Sequence, residues 1–188
     1  MKPIKTLFAA TALTAVSSMA FSASHSMENP QVGGADMMAD MTIVENASNS
    51  PIHTTLVAAV QAADLVDTLS GEGPYTVFAP TDEAFAALPE GTVDSLLMPE
   101  NKDQLTKILT CHVVEANAMS DAIAGMIADD GGTHPVSTVG GCTLQAEMDG
   151  DMITLTDENG TTATVTTADV RQSNGVIHVI DAVLLPAM

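Results

Sequence analysis

A cysteine and a histidine stand side by side near the middle of the chain, within the apolar segment 108–114 (ILTCHVV). A thiol beside an imidazole can act as a nucleophile with its base, and both side chains also bind zinc. Consecutive residues of an extended strand point to opposite faces, so Cys111 and His112 cannot react as a pair if CHVV is a strand. A catalytic cysteine would then need a different histidine.

Three histidines of the expected domain are available to such a cysteine, but none has a recognisable thiol-protease context; they are His53, His134 and His178. A hydrolase or metal-binding periplasmic enzyme that uses Cys111, His112 or both therefore stands as the alternative function. The main hypothesis about function must therefore rest on features in the rest of the chain.

Metal-binding patterns are weak in this sequence. No Cys or His pair has the Cys-x-x-Cys, His-x-x-x-His or His-Glu-x-x-His spacing of zinc sites. Carboxylates that could bind calcium lie near two turns but lack the spacing of an EF-hand loop; they are Asp149, Asp151, Asp157 and Glu158. Thioethers that could bind copper are scattered near the N-terminus, at Met27, Met37, Met38 and Met41. We expect neither a metal nor a cofactor.

The first 23 residues have the layout of a secretory signal peptide. Lys2 and Lys5 precede an uncharged stretch, and small residues around Ala20 suit cleavage between positions 20 and 24. No later apolar run approaches the roughly 20 residues of a membrane span, so we expect a secreted or periplasmic protein that does not span the membrane. Residues 24–41 read as a flexible leader containing Met and Gly, and residues 42–188 as one domain.

Acidic side chains dominate the charge of the mature chain. There are 24 Asp and Glu but only five Lys and Arg, two of them in the signal peptide, so the mature net charge is −21. Nucleic acids and anionic lipids need a cationic face, and we expect neither as a partner. Hydrophobic residues make up 46% of the chain, which indicates a folded domain with an acidic surface rather than a disordered tail.

The two cysteines of this exported chain are expected to form a disulfide, because the cell exterior and the periplasm are oxidising. A bond between Cys111 and Cys142 would close a loop of about 30 residues and stabilise the fold by roughly 3 to 4 kcal/mol in the chain-entropy model. This expectation competes directly with a catalytic role for Cys111.

Apolar residues recur with helical spacing in the first part of the domain, and they alternate with polar residues in the last part. The pattern predicts helices at residues 51–62, 64–70, 81–88, 92–97, 101–110 and 121–128, and a strand at residues 75–80. A β-meander follows at residues 142–148, 152–156 and 161–167, with Asp-Gly and Asn-Gly turns. The last apolar segment, 176–185, is too continuous for a half-exposed strand, so we expect it at the centre of the structure.

Three segments resemble the motifs of the fasciclin domain family, and they occur in the family's order. Residues 73–88 (GPYTVFAPTDEAFAAL) resemble its first signature, residues 174–186 (NGVIHVIDAVLLP) resemble its second, and LTCHVV is similar to its central Tyr-His motif with cysteine in place of tyrosine. The resemblance covers about residues 42–185. We expect structural roles for the motif residues Tyr75, Phe78, Pro80, Thr81, Phe85, His112, Asn174, Gly175, His178 and Asp181.

The resemblance implies an α+β fold, a wedge-shaped β-sandwich of about seven strands with helices packed on one side. It also implies an extracellular binding module without catalytic activity, which mediates cell-surface adhesion or association with a protein or glycan. We expect a monomer or weak oligomer whose partner is a surface protein or glycan.

Possible partner contacts follow from the same resemblance. In animal relatives an Asp-Ile pair before the second signature and the Tyr-His motif are proposed integrin contacts, and these positions hold Asp169, Val170, Cys111 and His112 here. Isoleucine has become valine, tyrosine has become cysteine and the signal peptide reads as bacterial, so integrin binding is not carried over. Loops expected at residues 129–138 and 166–173 are further candidates for partner contacts.

Overall fold

Seven strands form one mixed sheet in the computed structural model, which describes residues 30–187. Six of the seven α-helices contribute to a core on one side of this sheet, so the predicted α+β class with about seven strands is confirmed. The predicted signal peptide, residues 1–23, and residues 24–29 of the predicted leader lie outside the described residues. No helix in residues 30–187 is long and apolar enough to cross a membrane.

The element bounds are as follows. The strands are β1 (Gln31–Val32), β2 (Ala35–Asp36), β3 (Tyr75–Pro80), β4 (Val113–Val114), β5 (Thr133–Ser137), β6 (Thr143–Asp149), β7 (Met152–Thr156), β8 (Thr162–Gln172) and β9 (Gly175–Ile180). The helices are α1 (Ile43–Asn49), α2 (Thr54–Ala62), α3 (Val66–Leu69), α4 (Asp82–Ala86), α5 (Thr92–Leu96), α6 (Lys102–Thr110) and α7 (Ser120–Asp129), with a 3₁₀ turn at Pro99–Asn101. The large sheet has the order β4-β3-β9-β8-β7-β6-β5.

The parallel pair β3 and β9 is buried on both faces within the large sheet. Six residue pairs join these strands, from Tyr75 opposite Gly175 to Pro80 opposite Ile180. The last strand lies inside the sheet, as the continuous apolar run predicts. It ends at Ile180 rather than running on to residue 185, because Asp181 turns back to β8, where its N–H and its carboxylate both bind the backbone of Thr164.

Strand β8 joins the two halves of the sheet and is longer than the sequence predicts. It pairs with β7 along its first part and with β9 along its second. Register irregularities between Val165 and Val170, and the left-handed backbone of Asp169 (φ 58°), bend the strand. One core lies under α1 to α6, and a second lies between the sheet halves and α7 around Phe78 and Leu155.

The two edge strands of the sheet, β4 and β5, are bridged by the residues that follow β5. The N–H of Val139 donates to the carbonyl of Val113 at 2.8 Å, and the N–H of Gly140 donates to that of Thr110 at 3.0 Å. A Cβ at Gly140 would lie only 2.8 Å from the backbone nitrogen of Cys111, so this close approach requires glycine. The sheet is therefore nearly closed into a barrel.

Residues 30–41 are folded, in contrast to the flexible leader that the sequence suggests. Strands β1 and β2 form a hairpin around two glycines, and Val32 and Met37 are only 3% and 2% exposed. The fully buried Asn46 of α1 binds both backbone groups of Met38, at 2.9 and 2.7 Å. Burial of two apolar side chains and satisfaction of a buried amide explain why this segment is ordered.

Candidate functional site

The two signature segments meet at the start of β3 and β9. The N–H of Tyr75 donates to the carbonyl of Asn174 at 3.1 Å, and a Cβ at Gly175 would collide with the backbone of Tyr75. The Asn174 side chain is buried, where its Oδ1 accepts from the N–H of Ile43 and its Nδ2 donates to the carbonyls of Leu69 and Gly71. These motif residues join α1, α3 and the central strands.

His178 is a buried residue of β9, and its side chain contacts the loop before α7. Its Nε2–H donates to the carbonyl of Ala118 at 2.8 Å, and its Nδ1 accepts from the backbone N–H of Asp169 at 3.3 Å. The ring stacks on Phe78 with a centroid distance of 5.7 Å. Burial lowers the pKa of His178, so the neutral ring with a proton on Nε2 is the form that fits these partners.

Ser120, Asp169 and His178 are the three residue types of a hydrolase triad, but their contacts differ from one. The Asp169 carboxylate accepts from the N–H of Ser120 at 2.7 Å and from the Ser120 hydroxyl. Asp169 contacts the imidazole through its backbone N–H alone, and no imidazole accepts the serine proton. This carboxylate therefore fixes the N-terminus of α7 and does not orient a catalytic base.

Cys111 is the C-terminal cap of α6 and does not begin a strand, so CHVV is not extended over its whole length. Its backbone is helical, with φ −71° and ψ −13°, and its N–H donates to the carbonyl of Lys107 at 3.0 Å. Helix α6 ends at Thr110, as the periodicity predicts, and the strand starts only at Val113 because Cys111 and His112 still make helical backbone hydrogen bonds.

The Cys111 side chain is joined to Cys142 in a disulfide with a Cα–Cα distance of 5.4 Å, and both residues are buried. The pairing is the one that the sequence predicts. Since the chain has only these two cysteines, no thiol is left to act as a nucleophile or to bind zinc.

His112 lies in the interior with an exposed fraction of 2%. Its Nδ1–H donates to the carbonyl of Ile108 at 2.8 Å, and its Nε2 accepts from the N–H of Leu184 at 2.9 Å. Burial lowers the pKa of His112 to about 4, although the Ile108 carbonyl and the Asp157 carboxylate oppose the decrease. The neutral ring therefore serves as a fixed link between α6 and the end of the chain.

The segment 181–187, which we call the C-terminal strap, is also bound by the turn after β7. Asp157 accepts from the N–H groups of Asn159, Thr161 and Leu185, each at 2.8 Å. Glu158 accepts from the N–H of Ala187 at 3.0 Å, and this contact together with the N–H of Thr143 lowers its pKa. Two of the four carboxylates considered for calcium are thus engaged by backbone donors.

The described residues, 30–187, bring together no group of three or more His, Cys, Asp and Glu side chains that could hold a metal ion. Of the methionines considered for copper, Met27 lies outside this range, Met37 is buried, and Met41 accepts a hydrogen bond from the Asn49 amide.

The possible partner contacts are mostly buried. Val170 is completely buried and His112 nearly so, and only Asp169 is partly exposed. This burial disfavours Val170 and His112 as partner contacts, and for His112 it agrees with the structural role expected from the motif. The expected loops are also largely strand, since β5 occupies much of residues 129–138 and β8 extends to Gln172. The bends in β8 allow it to continue beyond the alternating part of the sequence.

A surface groove of about 480 Å³ lies between α5, α6 and the C-terminal strap. Its apolar lining comes from Leu96, Ile108, Leu185 and Pro186, and Asp103 and Lys107 stand among its polar residues. The sequence carries no local signal for this groove, since its walls come from three separate segments.

Comparison with known proteins places these features in context. A family model described as "Fasciclin domain" matches residues 51–186. The chain is 51% identical to Protein sll1483 of Synechocystis sp. over 148 residues, 79% of this chain and 75% of that protein. It is 33% identical to Cell surface glycolipoprotein MPB83 of Mycobacterium bovis over 170 residues, 87% of this chain and 70% of that protein.

Among solved structures, the chain is similar to a FAS1 domain pair from the insect cell adhesion molecule Fasciclin I. The TM-score is 0.68 at 19% identity, over 77% of this chain and 51% of that chain. At this identity the similarity concerns the fold alone, and it agrees with the seven-stranded sheet and packed helices described above.

Proposed function

The chain belongs to the fasciclin domain family, and from this premise we propose that it is a non-catalytic binding module that works outside the cytoplasm. Its partner is a protein or glycan of the cell surface. The names of two similar proteins support this setting, since one is a cell surface glycolipoprotein and the other a cell adhesion molecule.

One observation carries the proposal: four side chains of the types that do covalent chemistry are engaged in structural contacts. Cys111 is in a disulfide, both ring nitrogens of His112 and His178 are hydrogen-bonded, and the Ser120 hydroxyl donates to Asp169. The Ser50 hydroxyl lies 2.7 Å from Nδ1 of His53, but both residues are buried, so among the residues named here no exposed nucleophile has an adjacent base. We therefore propose that the protein acts by binding a partner through its surface residues.

The expected signal peptide, the disulfide and the acidic surface support a location outside the cytoplasm. Disulfides persist in oxidising compartments, and a mature net charge of −21 disfavours nucleic acid and anionic lipid as partners. We propose that the mature protein is a monomer or weak oligomer.

Cross-linking of the tagged full-length protein on cells of its own source tests the proposal. A discrete surface partner should be captured, and an excess of untagged folded protein should compete for it. The same preparation is tested with ester, peptide and glycoside substrates. Turnover that Ser120→Ala abolishes, but Ser173→Ala on an exposed turn leaves unchanged, would contradict the non-catalytic assignment.

A further inference from the structure

One face of the sheet formed by β5 to β8 is built almost entirely from hydroxyl and amide side chains. Residues on the other face, such as Leu144, Leu155 and Ala163, are buried in the second core, so the alternate residues point outward. We call this outward face the threonine face. It comprises Thr133, Pro135, Ser137, Thr143, Gln145, Glu147, Thr154, Thr156, Thr162 and Thr164.

Strand pairing arranges these side chains in rows across the sheet. The first row is Thr133, Glu147, Thr154 and Thr164, and the second is Pro135, Gln145, Thr156 and Thr162. Neighbours within a row lie about 4.8 Å apart, and the two rows are separated by two residues along each strand, about 6.6 Å. The result is a regular array of polar groups.

Thr154 in the first row is buried and its hydroxyl donates to the carbonyl of Glu147 at 3.4 Å, but other positions of the array keep open hydrogen-bonding capacity. The Thr133 hydroxyl donates to Glu147 at 2.9 Å, and the hydroxyls of Thr156 and Thr162 share one hydrogen bond at 3.0 Å. Within residues 30–187 the side chains of Gln145 and Thr164 make no hydrogen bond. A hydroxyl offers one donor and two acceptor positions, so the face can both donate to and accept from a ligand.

The charge around this face selects among ligands. Only one of the chain's 24 carboxylates, Glu147, stands within the two rows, and neither row holds a cation. Asp149 and Met152 pair on the same face one row beyond Glu147 and Thr154, and Glu158 and Asp181 lie at its borders, beside Thr143 and Thr164. This border repels anionic polymers, and a single internal carboxylate is too little for a multivalent cation. An uncharged ligand rich in hydroxyl groups is complementary to it.

We propose that the threonine face binds an uncharged polysaccharide. Sugar hydroxyls donate to Glu147 and Gln145 and accept from the threonine hydroxyls. The face has no aromatic residue for stacking, so each sugar unit contributes little, and an extended chain that crosses both rows provides the affinity. This assignment rests on the proposed function and names the partner class for one surface.

Co-sedimentation of the full chain with insoluble cellulose, chitin and starch tests the proposal, with the anionic polymer alginate for comparison. Gln145→Glu adds a charge to the second row with little change in shape, and Gln61→Glu makes the same change on the exposed side of α2. We expect retention by at least one neutral polymer and not by alginate. Gln145→Glu should weaken retention roughly tenfold or more, while Gln61→Glu should not.

Failure to bind all three neutral polymers, or equal retention of the two variants, would overturn the assignment. If the chain self-associates and Gln145→Glu abolishes this, the threonine face is an interface between two copies of the chain. That result would also overturn the polysaccharide assignment. Unfolding midpoints of both variants, matched to the parent chain, show that the fold is intact. If a surface protein is still captured on cells, the broader proposal stands while this one fails.

Discussion

The imidazole of His112 accepts a hydrogen bond from the backbone N–H of Leu184, which lies 72 residues further along the chain, at 2.9 Å. This contact joins the end of α6 to the C-terminal strap. Because Nε2 must be unprotonated to accept, the contact depends on the charge state of a buried ring.

The stability of the protein should therefore fall in acid. The pKa of His112 is about 4 in the folded chain and about 6.5 in the unfolded chain, so the unfolded chain binds the proton first as the pH falls. Stability is complete above about pH 6.5 and decreases down to about pH 4, by on the order of 3 kcal/mol. Burial lowers the pKa of His53 and His178 in the same direction.

Urea unfolding of the parent chain and His112→Gln at several pH values between 4 and 7 measures this effect. The variant should be less stable at pH 7 but show a shallower dependence on pH. Gln61→Ala, an uncharged change at an exposed position of α2, is the control and should keep the parental slope. An unchanged slope in His112→Gln would show that another group controls the acid sensitivity.

Loss of the disulfide should lower the unfolding midpoint. Cys142→Ser, or reduction, opens a loop of 31 residues, and we expect a loss of about 3 kcal/mol. For a domain of this size that corresponds to a decrease of roughly 6 to 12 °C in Tm. Calorimetry with and without reductant checks this, and reductant should have no further effect on the Cys111→Ser, Cys142→Ser double variant. An equal Tm for oxidised and reduced parent protein would contradict a stabilising role.

Asn174 should be among the most sensitive polar positions. Its side chain makes three hydrogen bonds to backbone groups of Ile43, Leu69 and Gly71, and Asn174→Ala leaves these groups without a partner. We expect a loss of about 2 to 4 kcal/mol, since buried unsatisfied groups are costly. Asn117→Ala, at an exposed position, should change stability by less than about 0.5 kcal/mol. Similar values for the two variants would refute the role assigned to Asn174.

The carboxylate of Asp169 should contribute to stability and not to catalysis. Asp169→Ala removes the acceptor at the N-terminus of α7 and should cost about 1 to 2 kcal/mol. Ser120→Ala should lower the free energy of unfolding by less than Asp169→Ala does, because the backbone N–H of residue 120 still donates to Asp169. A double-mutant cycle in urea measures the coupling, with Asp151→Ala on the exposed β6–β7 turn as control. Zero coupling would argue against the contact.

The parts of the fold that have local signals were predicted well. Asp-Gly and Asn-Gly turns with alternating residues predicted the meander, and the motif segments predicted the family and the fold, both now confirmed. Helix α1 was missed although Thr42 and Glu45 form a capping box, a pattern that the sequence displays. The length of β8 was underestimated because bends let a strand continue where alternation stops.

Features that depend on distant segments had no signal in the sequence. The motif resemblance indicated a structural role for His112, but its partner Leu184 in the strap and the burial of Val170 beside the central strands are encoded by no local pattern. The order of residues 30–41 depends on Asn46, whose amide finds its partners only in the folded chain. The threonine face becomes visible only when the register of four strands is known.

The disulfide between the closing edges of the sheet also has a mechanical consequence. It makes residues 111–142, with α7 and β5, into a covalent ring whose ends are held 5.4 Å apart. A force applied between the chain termini cannot extend this ring, so full unfolding should release roughly 100 Å less contour length in oxidised than in reduced protein. In the role proposed above, a pull by a partner would thus leave this part of the chain unextended.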